Sequence, residues 1–220
     1  MSEKFEKLRF RVAKTGRAKY ISHLDVTRCL SRVFNRCGLP IWYTQGYNPH
    51  PYLTFALPLP LGVDSRCESF DFRLTDATDY QTVQDRLNAA LPDDLRVLRA
   101  AAPVYGPEAI CWADYRLTFR DSDTAVAEQL QCFLAEPHLP VIKKTKKGEQ
   151  LVDLKEKMTV LRVEGSPEKT VLEVRLPAGG TLNWSPMLVT GAFCERLGRE
   201  PYWTGLERIA ILTEDFSPFC

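Results

Sequence analysis

A switch between two side-chain periods constrains this chain more than any single motif. Leu8–Ala13 (LRFRVA) alternates apolar and charged residues, the period of a strand with one buried face. KTGRAK then forms a turn. From His23 to Cys37 the apolar residues Val26, Leu30, Val33, Phe34 and Cys37 fall at helical spacing instead. Ser22 is a good N-cap, and Asp25 three residues on completes a capping box. Gly38 closes the helix and Pro40 lies just beyond. Ile41–Tyr43 begins a second strand, with Leu53–Leu57 as its candidate return. ESFDFRL (68–74) alternates as a strand. Thr78–Leu91 is a helix carrying Tyr80, Val83, Leu87 and Leu91 on one face, and Leu95–Ala101 closes the set as a strand.

The order is βαββαβ, the ferredoxin-like split βαβ pattern. Residues 102–112, with Pro103, Gly106 and Pro107, have linker composition. A similar order then recurs. Tyr115–Arg120 is a strand and Asp123–Ala135 a helix. Pro140–Lys144 and Glu149–Leu154 form a hairpin, and Thr159–Val163 and Thr170–Leu176 another. Ser185-Pro186 opens a helix ending near Gly198, and Ile209–Thr213 is a last strand. The expected class is α+β: two tandem ferredoxin-like modules, residues 1–101 and 113–220, the second with an added β-hairpin. The repeat is one of element order, since the halves share no recognisable sequence identity.

Charge distribution narrows the function. Between Lys7 and Arg36 stand nine Lys/Arg and one acid, Asp25, in a chain whose net charge is +1. Local positive charge on a near-neutral protein fits a directed anionic partner. The alternative is a solvated face balanced in space by acids elsewhere. MSEKFEKLRF lacks the apolar centre of a signal peptide, and no apolar run suggests a membrane span, so a cytoplasmic protein is expected. Seven cysteines without CxxC spacing fit free thiols better than disulfides, a zinc ribbon or an iron–sulfur cluster. No P-loop, dinucleotide fingerprint, GxSxG or HExxH is present, so the common nucleotide and hydrolase classes lack support. No cofactor or metal is expected on this chain.

Four constellations can carry chemistry. Arg28, Arg32 and Arg36 sit at i, i+4 and i+8 opposite the apolar face, about 6 Å apart along the helix. Lys14, Arg17 and Lys19 feed the helix N-terminus, so phosphate binding is a natural reading. The alternative is a solvated ridge with Asp25 paired to Arg28. Tyr43, Gln45, Tyr47, Asn48 and His50 interleave aromatics, amides and an imidazole, which suits stacking and edge contacts with single-stranded RNA bases. NPHP is equally a stiff structural turn, because each residue before proline is held extended. His23 and His50 are candidate acid and base for RNA cleavage, or metal ligands with Asp25, or merely binding or structural groups, the last being the expectation. Lys143, Lys144, Lys146 and Lys147 crowd a hairpin tip, either as a clamp or to keep the edge soluble.

The run ISHLD…R…GLP…Y…QGYNPHP…FALPLPLG, within Lys14–Glu68, resembles the radical-SAM-linked proteins, a bacterial domain family of unknown function. Related domains occur fused behind a cobalamin-binding radical SAM enzyme or encoded beside one. The resemblance therefore implies a partner, a radical SAM enzyme of the cobalamin-binding type, which would supply any radical chemistry. In that family the loop at Tyr47 is usually aromatic too, whereas Tyr52 stands where a basic residue is common. The tandem layout also resembles, at fold level, the CRISPR repeat-processing endoribonucleases, which hold RNA between paired ferredoxin-like modules. The expectation is an RNA-binding accessory protein that presents RNA to the radical SAM partner. Two alternatives stand beside it: an RNA-processing or RNA-modifying enzyme using His23 and His50, and a docking module that binds the radical SAM enzyme without nucleic acid.

Overall fold

A computed structural model of the protein describes residues 5–120, 126–145, 148–166, 168–201 and 203–219. The class is α+β. Two compact units divide the chain: Met1–Ile110 with Ser217–Cys220, and Cys111–Phe216.

In the first unit the elements follow the order β1 (Glu6–Lys14), α1 (His23–Arg36), β2 (Leu53–Phe55), β3 (Val63–Leu74), α2 (Tyr80–Ala90) and β4 (Leu95–Ala101), with a 3₁₀ turn at Gly16–Tyr20. β1 lies between β4 and β3, and β2 pairs with β3, so the strands stand in the order β4-β1-β3-β2 with every pairing antiparallel. Strand alternation sends Leu8, Phe10 and Val12 of β1 and Phe70, Phe72 and Leu74 of β3 to one face. There they meet Val26, Leu30, Val33 and Phe34 of α1 and Val83 and Leu87 of α2, all buried. Phe72 anchors this core, stacked on Phe10 at 4.4 Å and on Phe34 at 5.1 Å between ring centres.

The segment expected to begin a second strand at Ile41–Tyr43 does not form one. Ile41 bridges Leu74, the Trp42 amide donates to the Arg73 carbonyl, and Leu53 takes over beside Phe72. Residues between leave the edge as a loop whose neck is closed by a bridge from Tyr43 to Pro51. The physical reason is proline. Pro40, Pro49 and Pro51 have no amide hydrogen to donate, so a continuous ladder through this run is not available.

In the second unit the order is β5 (Trp112–Arg120), α3 (Val126–Ala135), β6 (Pro140–Thr145), β7 (Gly148–Asp153), β8 (Thr159–Gly165), β9 (Thr170–Pro177), α4 (Pro186–Leu197) and β10 (Trp203–Leu212). Its strands stand in the order β10-β5-β9-β8, again antiparallel, and β6–β7 form a separate hairpin. Phe193 of α4 packs on Phe119 at 5.1 Å and Phe133 at 5.6 Å. α4 starts as its residues dictate: Ser185 Oγ accepts from the Met187 amide, Pro186 occupies the first turn, and Gly198 ends the helix at φ +73°. β10 begins six residues earlier than the apolar run Ile209–Thr213 indicates, because backbone pairing from Trp203 with Arg120 onward, not side-chain alternation, sets its start. Among the described residues no helix is long and apolar enough to cross a membrane.

Candidate nucleic-acid interface

α1 starts where the capping residues require. The Ser22 hydroxyl oxygen accepts from the Asp25 amide at 3.2 Å and its O–H donates to the Asp25 carboxylate at 2.7 Å. These bonds and the Arg28 guanidinium hold the Asp25 carboxyl below its usual range. With the helix phase so fixed and Val26, Leu30 and Val33 inward, Arg28, Arg32 and Arg36 emerge together on the exposed side. They line an open groove of about 560 Å³ with Asp25, Cys29 and the Ala90–Pro92 turn after α2. Arg28 pairs with Asp25 at 3.1 Å, and Arg36 donates to the Ala90 carbonyl at 3.2 Å. Arg32 has no ion pair among the described residues. The ridge is therefore partly neutralised at its start and keeps net positive charge along its length.

The three cations before α1 do not join this groove. Lys19 pairs with Asp64 at 2.8 Å, and that hydrogen bond raises its pKa. Arg17 is exposed, with Asp94 accepting from its backbone amide at 3.0 Å and a loose side-chain pair at 3.6 Å. Lys14 is buried. Its ammonium donates to the Ile21 carbonyl at 3.1 Å and the Lys19 carbonyl at 3.4 Å, which satisfies the end of the 3₁₀ turn. The even phase of β1 carries Lys14 inward with Leu8, Phe10 and Val12, so it lies beneath the surface that the sequence assigns it to.

Lys14 instead lines a narrow cavity of about 30 Å³ with Val26, Phe55, Glu68 and Phe70, and His23 stands at its edge. The His23 ring meets Phe55 edge-on at 4.4 Å. That volume has room for about one or two waters, not for a nucleotide. Burial pushes the Lys14 pKa down, and the charges of Glu68 and Asp64 oppose the shift. Unfolding restores the ordinary value of 10.5. Between the folded and unfolded values the unfolded chain binds more protons, so stability rises with pH through that window and the penalty is gone above it. Urea unfolding at a series of pH values approaching 10.5 from below is expected to show this slope in the wild type and not in Lys14→Met. Parallel curves would mean that the ammonium is not desolvated.

The aromatic loop folds on itself. The Thr44 amide donates to the His50 carbonyl at 2.8 Å, and the His50 amide donates to Thr44 Oγ1 at 3.2 Å. His50 Nδ1 lies 3.1 Å from Thr44 Oγ1 and 3.0 Å from the Asn48 carbonyl. His50 is thus held by its own loop and does not line the cavity that His23 borders. Gly46 turns the loop at φ +135°, which a side chain rarely adopts. Tyr47 at the tip is 100% exposed, and Gln45 and Asn48 are exposed beside it. Tyr43 donates its hydroxyl to Asn35 Oδ1, which ties the loop to the last turn of α1.

Other chemistry-bearing groups lie apart. Arg73 sits among the rings of Phe5 and Tyr52, both 3.9 Å away, and Trp42 at 5.0 Å, an enclosure the sequence alone does not signal. His138 bonds Asp153 at 2.7 Å; the Leu139 amide, then His138, hold that carboxyl low. Lys143 and Lys144 lie on β6, while Lys146 and Lys147 fall outside the described residues. Among the described residues no three His, Cys, Asp or Glu side chains gather as metal ligands, and six cysteines are free thiols.

The model of a bacterial family, described as "Uncharacterized protein conserved in bacteria (DUF2344)", matches residues 7–186. The chain belongs to the DUF2344 family. The match takes in the capped helix, its arginine ridge and the aromatic loop of this DUF2344 member. A comparison with curated proteins found no match. Among solved structures, the DUF2344 chain is similar to one from the crystal structure of a Cbf5-Nop10-Gar1 complex, at 13% identity and a TM-score of 0.46. That likeness covers 94% of this chain and 50% of the other, so the chain spans about half the length of that neighbour. It is also similar to an unknown protein from Galdieria sulphuraria, at 14% identity and a TM-score of 0.27, covering 94% of this chain and 100% of that one.

Proposed function

We propose that this protein binds RNA along the Arg28–Arg32–Arg36 ridge and presents it to a radical SAM enzyme of the cobalamin-binding type for modification. The observation that carries the RNA reading is the ridge itself. Three guanidinium groups line one open groove and only one has a carboxylate partner among the described residues. Spacing of about 6 Å between them suits successive phosphates better than one small anion. Lys14 is buried, Lys19 is paired with Asp64 and Arg17 lies by Asp94, so the phosphate set is reduced to the three arginines of the ridge. Tyr47, with Tyr43, Gln45, Asn48 and His50 around it, offers bases a stacking and hydrogen-bonding surface. The partner rests on the resemblance of the signature run.

The two units fit a reading as tandem ferredoxin-like modules. Numbered within each unit, with the separate β6–β7 hairpin left out of the count, both strand orders are 4-1-3-2. Both also place a bidentate Arg–Asp pair between the first and third strands, Arg9 with Asp71 and Arg175 with Asp114. The β6–β7 hairpin is the addition in the second module.

Arg28→Glu with Arg32→Glu is the direct test. The double variant is expected to lose RNA retention at low salt and to reduce the slope of log affinity against log salt by about 1.4 or more, with the melting temperature unchanged. RNA affinity that survives the double change, or a wild type without salt-sensitive affinity, overturns the reading. Co-purification with the radical SAM enzyme before and after nuclease separates an RNA-bridged partnership from direct docking.

A further inference from the structure

A second cationic site lies on the opposite face of the first unit's sheet. Leu8, Phe10 and Val12 of β1 face the helices, so Arg9 and Arg11 face away. The register sets Arg11 directly opposite Arg99 of β4. Like charges facing each other across strands are destabilising. Neither arginine has an ion pair among the described residues, whereas Arg9 beside them is held by Asp71 at 2.7 Å. A third arginine, Arg66, turns its backbone carbonyl to Arg11 Nε at 3.1 Å, which fixes that guanidinium and leaves its two terminal nitrogens for another acceptor. The fold thus holds two positive charges together with no ion-pair partner for either among the described residues.

Arg11 and Arg99, with the Asp71-paired Arg9, wall one half of a pocket of about 230 Å³ that also contains Ser69. The other half is apolar: Val104, Pro218 and Phe219. Phe219 is itself anchored, its ring 4.4 Å from the Arg9 guanidinium. Two guanidinium groups match the two negative charges of a phosphomonoester, with planar forks suited to bidentate phosphate contact. A phosphodiester within a chain carries one charge per unit and needs an open track. A half-open pocket with a cationic half and an aromatic, apolar half suits one small ligand with the same division.

We infer that this pocket binds a nucleoside monophosphate, with the phosphate on Arg11 and Arg99 and the base against the Val104–Phe219 side. This site is separate from the arginine ridge and stands without the RNA reading. Calorimetric titration of the intact protein with AMP, GMP, CMP and UMP, and with adenosine and inorganic phosphate as partial ligands, tests it. At least one monophosphate is expected to bind, with adenosine and phosphate each about tenfold weaker or more. Arg11→Ser with Arg99→Ser is expected to weaken that binding by about 100-fold without lowering the melting temperature, because it also removes a repulsive pair. Arg28→Glu with Arg32→Glu is expected to leave it unchanged, so this site and the ridge can fail separately. No monophosphate binding up to about 10 mM, phosphate binding as tightly as the nucleotides, or an unaffected Arg11/Arg99 double variant would each overturn the assignment.

Discussion

Asp71→Ala is expected to lower the free energy of unfolding by about 3–5 kcal/mol, the usual cost of leaving one member of a buried ion pair behind. Asp71 is 3% exposed and accepts two hydrogen bonds from Arg9, from Nε at 2.7 Å and from a terminal nitrogen at 3.0 Å. Lys7 also reaches it, at 3.3 Å, but the Lys7 side chain is 39% exposed and can turn to water. The Arg9 side chain, 4% exposed, cannot. Without Asp71 the guanidinium loses its bidentate carboxylate while keeping the Tyr105 carbonyl at 2.8 Å and the Phe219 ring. Arg9→Met combined with Asp71→Leu should recover most of the loss, since it removes both charges and keeps the volume. Urea unfolding followed by circular dichroism reads both variants. A loss under about 1 kcal/mol would mean that water or another partner compensates the Arg9 charge once Asp71 is gone. The Arg175–Asp114 pair of the second unit is more open, with side chains 20% and 10% exposed, so Asp114→Ala is expected to cost less.

The second large effect lies in the core. Phe72→Ala is expected to cost about 3–5 kcal/mol, and Phe72→Leu under about 1.5 kcal/mol. Phe72 has no exposed surface and its ring is in contact with Phe10 of β1 and Phe34 of α1. It therefore joins two strands and the helix that carries the arginine ridge. Removing the ring leaves a cavity that three elements line, and stiff strands on one side cannot close it. Thermal and urea unfolding of the two variants check the order. Equal losses for Ala and Leu would mean that ring stacking, not filled volume, is what this site requires.

Much of the fold was legible in the residues. α1 could be read to within a residue at each end, because Ser22, Asp25 and Gly38 act through contacts two to four positions away. β1, α2, β4 and α4 were legible for the same reason: their period or their caps are local. The second strand was not. Its ladder is shared between Ile41 and Leu53–Phe55, and only pairing with β3 decides which residues leave the edge. The start of β10 was hidden likewise, since a partner strand can extend a ladder past the apolar run.

The candidate site divides along the same line. The arginine ridge followed from the sequence by itself, because i, i+4 spacing on a capped helix fixes one face. The destination of the other cations did not. Strand phase buries Lys14, Asp64 and Asp94 engage Lys19 and Arg17, and cross-strand register sets Arg11 against Arg99 across a span of 88 positions. Short-range periodicity is written in neighbouring residues, and so the sequence determined which segments are helices, which are strands, and that arginines share a helix face. Which charge meets which depends on residues brought together from distant positions, and only the tertiary structure decided that.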